Sequence, residues 1–319
     1  MRTTALLRRG EIAPEGYEEY LKGGYRYNYA VNIFDVGLYM FAMQVVAPTV
    51  VLPAFFNRLG ASVLLIAFLP TIQLLSVSLP QLFVSYYIEK LVRVKPVIAV
   101  AGIFQRLPWL FIGLAVPFLA SSHPKALLVV FTLLLGVSYI SAGCIKPAWG
   151  ELIAKAIPTT IRGRFRATIN FLGALLGLSA GVVVTRIMEH PTLAWDSKYS
   201  ILFTASGLIL FISFFFFILN REPVLSAKPP AGHSNLRSHV LEAFRTLKTD
   251  RQFKRFVMGN ILARGSIMSQ SFLILYALQT NSSIGAMFLA GLGAGALFTT
   301  VLCGYAYVYA RIRGVERGR

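Results

Sequence analysis

The sequence predicts an all-α protein that crosses a membrane several times. Of its 319 residues, 56% are hydrophobic and only 14% are charged, whereas a soluble domain carries about 25% charged residues. The mean hydropathy is +0.64. Eight apolar stretches reach the roughly 20 residues that a membrane span needs. They cover residues 28–53, 60–87, 96–120, 125–150, 166–187, 199–219, 255–278 and 283–310.

The positive charge of the chain indicates how it is oriented in the membrane. The formal net charge is +18, which in a soluble chain would indicate a nucleic-acid partner. Here the basic residues lie between apolar stretches, so we expect no nucleic acid. Of the 31 lysine and arginine residues, 24 fall on one side of the eight spans and four on the other. Because basic loops stay in the cytoplasm, both termini are predicted to be cytoplasmic, in an inner or plasma membrane.

One long connection, residues 220–254, divides the chain. The predicted organisation is a cytoplasmic segment over 1–27, a six-helix bundle over 28–219, a linker over 220–254 and two further helices over 255–319. In the linker Leu236, Val240, Phe244 and Leu247 recur at helical spacing beside basic residues. Such a helix either lies on an anionic leaflet or is a solvated linker, and the pattern leaves both open.

Two loops carry motifs that point to a family. The first, SYYIEKLVRVK after span two, contributes Glu89, Lys90 and Arg93, and the second, after span four, contributes Arg162, Gly163 and Arg164. Both resemble the gating-loop motifs of the major facilitator superfamily, bacterial type. Ser85 stands where the first motif has glycine. The resemblance implies twelve helices in two halves, so this chain has the expected first six and the first two of the second half.

The resemblance also implies a function. Members of this superfamily move small solutes by alternating access, driven by a solute or ion gradient, with a proton as the candidate coupling ion. The alternative is a truncated membrane protein or an interaction scaffold that transports nothing. All four histidines lie in predicted loops and no phosphate-binding loop is present. We therefore expect no enzyme activity, no metal and no cofactor.

Four charged residues fall inside predicted spans, where each costs roughly 2.5 to 3.5 kcal/mol at a helix centre. Counting residues along each span places Asp35, Arg106, Lys146 and Arg264 in one layer. We expect Asp35 and Lys146 to form an ion pair, either functional or purely structural, with Arg264 adding positive potential. One negative and three positive charges favour an anionic solute. Span three is peripheral in the resembled family, so Arg106 is interpreted as a structural clamp or a snorkelling group.

Other span residues are weaker candidates. Asn32 and Gln44 are expected to line the same cavity, although single polar residues in spans often bond to a neighbouring helix. Small residues at four-residue spacing let helices approach closely. They are Gly173, Gly177 and Gly181 in span five and Gly291 and Gly295 in span eight. Helices five and eight meet between the halves in the resembled family, so these glycines are predicted to face each other. Self-association through span five is the alternative.

Overall fold

The computed structural model describes residues 11–12, 16–48, 50–224, 236–252, 254–255 and 257–258. This part of the chain is almost entirely helical, and six of its helical segments are long and apolar enough to cross a membrane. The prediction of an all-α, membrane-embedded protein is confirmed at this level. Predicted span eight and all of predicted span seven except residues 255, 257 and 258 lie outside the described residues, and so do Arg264, Gly291 and Gly295.

The first span consists of more than one helix. A short helix α1 (Tyr17–Glu19) and a π-helical turn (Tyr20–Gly24) lead into α2 (Tyr25–Val46), and α3 (Val51–Arg58) follows after a break. At the break Ala47 has a φ of 29°. The next residue, Pro48, has no backbone N–H to donate and disfavours helical geometry in the residue before it. The continuous span predicted over 28–53 is therefore interrupted, and α3 continues it to Arg58.

Five more long helices alternate in direction. They are α4 (Val63–Ile88), α5 (Lys95–Leu119), α6 (Pro124–Ala156), α7 (Thr159–Met188) and α8 (Trp195–Ile218). We call the end where α2 begins and α4 ends the basic end, because Lys90 and Lys95 lie there, and the other the opposite end. The sequence-based spans 125–150 and 166–187 are too short, because α6 and α7 continue past the apolar residues and meet in a tight turn at the basic end.

Two smaller elements lie beyond α8. The two-residue strands β1 (Glu11–Ile12) and β2 (Glu222–Pro223) pair in parallel, with Glu11 opposite Glu222. The helix α9 (Leu236–Thr249) falls within the predicted linker and packs near α4. The pairing of β1 with β2 joins the beginning of the described chain to the segment that leaves the bundle.

The packing of the six spans repeats internally. The closest neighbours of α2 are α7 and α8, those of α5 are α6 and α8, and α4 packs on α6. Exchanging α2 with α6, α4 with α7 and α5 with α8 leaves this set of neighbours unchanged. The exchanged helices run in opposite directions through the bundle. This is the arrangement that two inverted three-helix repeats produce.

Glycines allow the closest helix crossings. A Cβ atom built on Gly113 of α5 would collide with the backbone nitrogen of Thr204 in α8, and one on Gly207 of α8 would lie 2.9 Å from the backbone nitrogen of Leu110. A Cβ atom on Gly143 of α6 would collide with the carbonyl oxygen of Val77 in α4. The backbones therefore touch at two crossings, between α5 and α8 and between α4 and α6.

The largest apolar cluster lies towards the opposite end. Phe55 of α3 is fully buried, and its ring centroid lies 4.7 Å from that of Tyr199, 5.2 Å from that of Phe203 and 5.3 Å from that of Phe131. Contacts of this kind bury a large apolar area and add about 0.5 to 1.5 kcal/mol per aromatic pair. The buried charged side chains lie outside this cluster.

Candidate functional site

Asp35 is a buried carboxylate between three helices. Asp35 lies in α2 and is only 5% exposed. Ser213 of α8 donates a hydrogen bond of 2.6 Å to its Oδ1 atom, and the Nη2 atom of Arg106 in α5 lies 3.7 Å from the same oxygen. A buried charge without a partner is strongly destabilising. Here one guanidinium and one hydroxyl compensate it.

Arg106 is held in place by neutral groups as well as by Asp35. Its Nε atom donates to the carbonyl oxygen of Leu210 at 3.0 Å, and its Nη1 atom donates to Gln105 Oε1 at 3.1 Å and to the carbonyl oxygen of Gly102 at 3.3 Å. The guanidinium carbon also lies 4.8 Å from the ring centroid of Phe214. These contacts come from α5 and α8, so they hold the guanidinium independently of the carboxylate from α2.

The polar contacts continue to α6. Gln105 Nε2 donates to the hydroxyl of Tyr39 at 3.0 Å, and the carbonyl oxygen of Gln105 accepts from Ser138 at 2.7 Å. The indole of Trp109 donates to Ser138 at 3.1 Å. These buried or half-buried groups join α2, α5, α6 and α8. We call them the Asp35 network, which comprises Asp35, Tyr39, Gln105, Arg106, Trp109, Ser138 and Ser213.

The predicted pairing of Asp35 with Lys146 is wrong in this structure. Ser138 is the residue of α6 that lies level with Gln105, and Lys146 follows eight residues later, about 12 Å nearer the basic end. The side chain of Lys146 is exposed, and within the described residues it has no ion pair. Counting along the apolar stretch misjudged its depth because α6 continues to Ala156. Arg106, predicted to be peripheral, is the partner of Asp35.

Asn32 belongs to a polar seam rather than to an open cavity. The seam combines Asn28, Asn32 and Asp35 of α2 with Ser206, Ser213 and Asn220 at seven-residue intervals along and just after α8, all of them buried. Asn32 Nδ2 donates to Asn220 Oδ1, and Asn28 exchanges two hydrogen bonds with the backbone of Arg221, at 2.6 and 2.9 Å. Asn32 Oδ1 and Ser206 Oγ have no hydrogen-bond partner among the described residues.

The glycines of span five pack against the first span. A Cβ atom on Gly173 would lie 3.7 Å from Met40 Cγ, and one on Gly177 would lie 3.4 Å from Gln44 Nε2. The half-buried side chain of Gln44 therefore lies between α2 and α7. Gly181 is also buried. The predicted contact with span eight lies outside the described residues and stays a prediction.

A second buried charge cluster lies at the basic end, and the sequence did not reveal it. Glu222 is 2% exposed. Its carboxylate accepts from the backbone nitrogens of Val94 at 2.8 Å and Lys95 at 3.0 Å, and from Lys155 Nζ at 3.3 Å. Lys155 also donates to the carbonyl oxygen of Val92 at 2.8 Å. An acidic side chain at the N-terminus of α5 is favourable for the helix dipole, so Glu222 ties the end of α8 to α5 and α6.

The residues of the two loop motifs lie on the basic-end surface. Lys90 donates to the hydroxyl of Tyr86, and its ammonium group lies 3.8 Å from the centroid of that ring. Glu89 is exposed, and Arg93 is half-buried. Arg162 donates to the carbonyl oxygen of Ile157 at 2.8 Å, which stabilises the turn between α6 and α7.

The other residues of the second motif, Gly163 and Arg164, are exposed at the start of α7. Within the described residues no group of three or more histidine, cysteine or acidic side chains is arranged to hold a metal ion. Comparison with protein-family models gives no match for this chain, and comparison with curated proteins gives none either.

Proposed function

We propose that this chain is a secondary active transporter of the major facilitator type, which moves a small solute across the membrane by alternating access. The observation that carries the proposal is the exchange symmetry of the six spans, because inverted three-helix repeats form each half of such transporters. The resemblance of the two loop motifs adds support. The proposal includes cytoplasmic termini and an inner or plasma membrane.

The Asp35 network supports a coupling role for Asp35. Replacing a buried ion pair by apolar residues of similar volume is often neutral or stabilising, so stability alone gives little reason for this pair. A carboxylate that gains a proton loses its attraction to a neighbouring guanidinium. Protonation of Asp35 therefore weakens the contact of α2 with Arg106 and changes how α2 packs on α5 and α8. A proton is accordingly the coupling ion that we propose.

The proposed solute is a small organic anion. The chain has 31 basic and 13 acidic residues, and the structure pairs two of the acids, Asp35 and Glu222, with basic side chains inside the bundle. Lys146 and the other exposed basic side chains near the basic end are left to attract negative charge. Electrostatic attraction of this kind raises the local concentration of an oppositely charged solute.

The test is uptake by proteoliposomes that contain the 319-residue chain. Vesicles receive a defined mixture of organic anions, sugars and amino acids under a pH gradient of either sign, and their contents are measured by mass spectrometry. We expect at least one anion to accumulate above the level in protein-free vesicles. Asp35→Asn should abolish gradient-driven accumulation, whereas Glu189→Gln, which changes an exposed acid near the opposite end, should not. A folded wild-type chain that accumulates none of the mixture under either gradient contradicts the proposal.

A further inference from the structure

We infer that the basic-end half of the cleft between α6 and α7 is a binding site for an organic anion. Arg166 of α7 and Trp149 of α6 meet across this cleft. Helical spacing places Lys146 on the same face of α6 as Trp149 and Gly150. It also places Asn170 on the same face of α7 as Arg166. The anionic group is a carboxylate or a phosphate, supplied either by a soluble organic anion or by the headgroup of an anionic lipid. The soluble-anion alternative rests on the transport function proposed above.

The two helices face each other across this cleft without close packing along their length. The main neighbours of α6 are α4 and α5, and that of α7 is α2. Near the basic end the helices meet, where Ile153 and Ile157 of α6 belong to one buried cluster with Phe165 and Ile169 of α7. Elsewhere α6 and α7 make few contacts with each other, whereas α2 packs against α7.

Helical spacing brings the polar groups together. The guanidinium carbon of Arg166 lies 4.8 Å from the ring centroid of Trp149. Lys146 precedes Trp149 by three residues, and Asn170 follows Arg166 by four, so each shares a helix face with its neighbour. Because α6 and α7 are antiparallel, Lys146 and Asn170 lie at a similar level, about one turn further from the basic end.

The positive charge of this cleft is not compensated in the described part of the chain. Lys146 and Arg166 are both exposed, and neither has a hydrogen bond or an ion pair with a described residue. The nearest carboxylate along α6, that of Glu151, lies 3.9 Å from Lys155 Nζ. The buried charges that we describe, in the Asp35 network and around Glu222, do have partners. Two neighbouring cations without a counter-charge are suited to one anion.

The cleft also has room for a ligand beside α6. A Cβ atom on Gly150 would meet no atom within 4 Å, so the space there is open. Lys146 lies about 12 Å from the level of Ser138 along α6. This distance is slightly less than half the thickness of the hydrocarbon layer of a membrane, which is about 15 Å. Tryptophan and basic side chains at this depth interact with anionic headgroups. The indole of Trp149 gives the ligand an apolar contact beside the cations.

The test measures binding, so that it does not depend on transport. The chain is placed in phosphatidylcholine nanodiscs, and binding of radiolabelled benzoate and of neutral benzamide is measured by equilibrium dialysis. We expect benzoate to bind and benzamide to bind at least tenfold more weakly. In Lys146→Gln/Arg166→Gln the affinity for benzoate should fall at least tenfold. The matched control Arg186→Gln, an exposed arginine near the opposite end of the same helix, should stay within twofold of wild type.

A second arm distinguishes the two sources of the anion. Benzoate binding is measured in nanodiscs that contain about a third phosphatidylglycerol. Native mass spectrometry then counts the phosphatidylglycerol molecules that stay bound to the protein after its release from the nanodisc. A lipid ligand is retained by wild type, lost in the double variant, and competes with benzoate. If the natural ligand is a soluble anion, the affinity for benzoate should be the same in nanodiscs with and without phosphatidylglycerol. Lys146→Arg/Arg166→Lys keeps both charges and should retain binding in either case.

The results that overturn the inference are also distinct. The inference is wrong if the double variant binds benzoate and phosphatidylglycerol as well as wild type does. It is also wrong if wild type binds benzamide as tightly as benzoate. A folded wild-type chain that binds neither benzoate nor phosphatidylglycerol also contradicts the inference. A chain that still accumulates a solute in proteoliposomes after any of these results keeps the proposed transport function and loses only this site.

Discussion

Asp35 of α2 and Arg106 of α5 form an ion pair of 3.7 Å inside the bundle, near the middle of α5. The guanidinium of Arg106 also spans from α5 to α8 through the carbonyl oxygen of Leu210. The pair therefore connects the first, third and sixth spans at one level. Any event that changes the charge of Asp35 acts on all three helices together.

The first prediction concerns the stability of this pair. Asp35→Asn can keep the hydrogen bond to Ser213 but leaves Arg106 without a counter-charge, and Arg106→Met leaves Asp35 without its cationic partner. Each single change should cost about 3 to 5 kcal/mol, the range for breaking a buried ion pair. Each variant is extracted in detergent and heated, and size-exclusion chromatography then measures the fraction that remains folded.

The control for this pair is Lys146→Met, which removes an exposed charge and should leave the thermal midpoint close to wild type. The double change Asp35→Asn/Arg106→Met should recover much of the lost stability. If the double variant is as unstable as the sum of the single changes, the two residues do not interact energetically.

The second prediction concerns the crossing of α4 and α6. Gly143→Ala places a methyl group against the carbonyl oxygen of Val77, so the helices must separate and lose contacts. We expect a loss of about 1 to 3 kcal/mol, the cost of overpacking. Gly136→Ala in the same helix is the control, because a Cβ atom there meets nothing within 4 Å. Equal thermal midpoints of the two variants would mean that the crossing is looser than the structure has it.

The third prediction concerns Glu222. Glu222→Gln keeps an oxygen for the backbone nitrogen of Val94 or Lys95 but removes the negative charge beside buried Lys155. We expect a loss of about 3 kcal/mol, within the range for an uncompensated buried charge. Glu89→Gln, an exposed acid at the same end, should have little effect. Recovery of stability in Glu222→Gln/Lys155→Met would show that the ion pair, and not the helix cap, is responsible.

The six spans of the described chain could be predicted because membrane crossing needs a long apolar stretch. The ends of α6 and α7 could not, because the charged residues Lys155 and Arg162 were interpreted as loop residues, although both lie within helices. Helices that project from the membrane retain their backbone hydrogen bonds, so polarity alone does not end them. The same error placed Lys146 level with Asp35.

The partner of Asp35 depends on which helices pack against α2. Counting residues along a span gives the depth of a residue but not the neighbouring helix. One signal was available. Ser206 and Ser213 lie seven residues apart in span six, and Asn220 follows seven residues later, just after it. Asn28, Asn32 and Asp35 have helical spacing in span one. Polar residues at such intervals mark a helix–helix seam. Glu222 gave no comparable signal, because its contacts are with α5 and α6, which are distant in sequence.

The last prediction tests the orientation of the bundle. Among the described residues outside the long apolar helices, most lysines and arginines lie at the basic end or follow the segment that leaves it, so this end should be cytoplasmic. After replacement of Cys144 and Cys303 by serine, single cysteines are placed at Lys125 and Thr159, which are both exposed and lie at opposite ends of the bundle. An impermeant thiol reagent applied to intact cells should label the cysteine at 125 and not that at 159. Both should react after the cells are opened, which controls for accessibility. Labelling at 159 alone in intact cells would reverse the orientation, and labelling at both would mean that the two sites are not separated by the membrane.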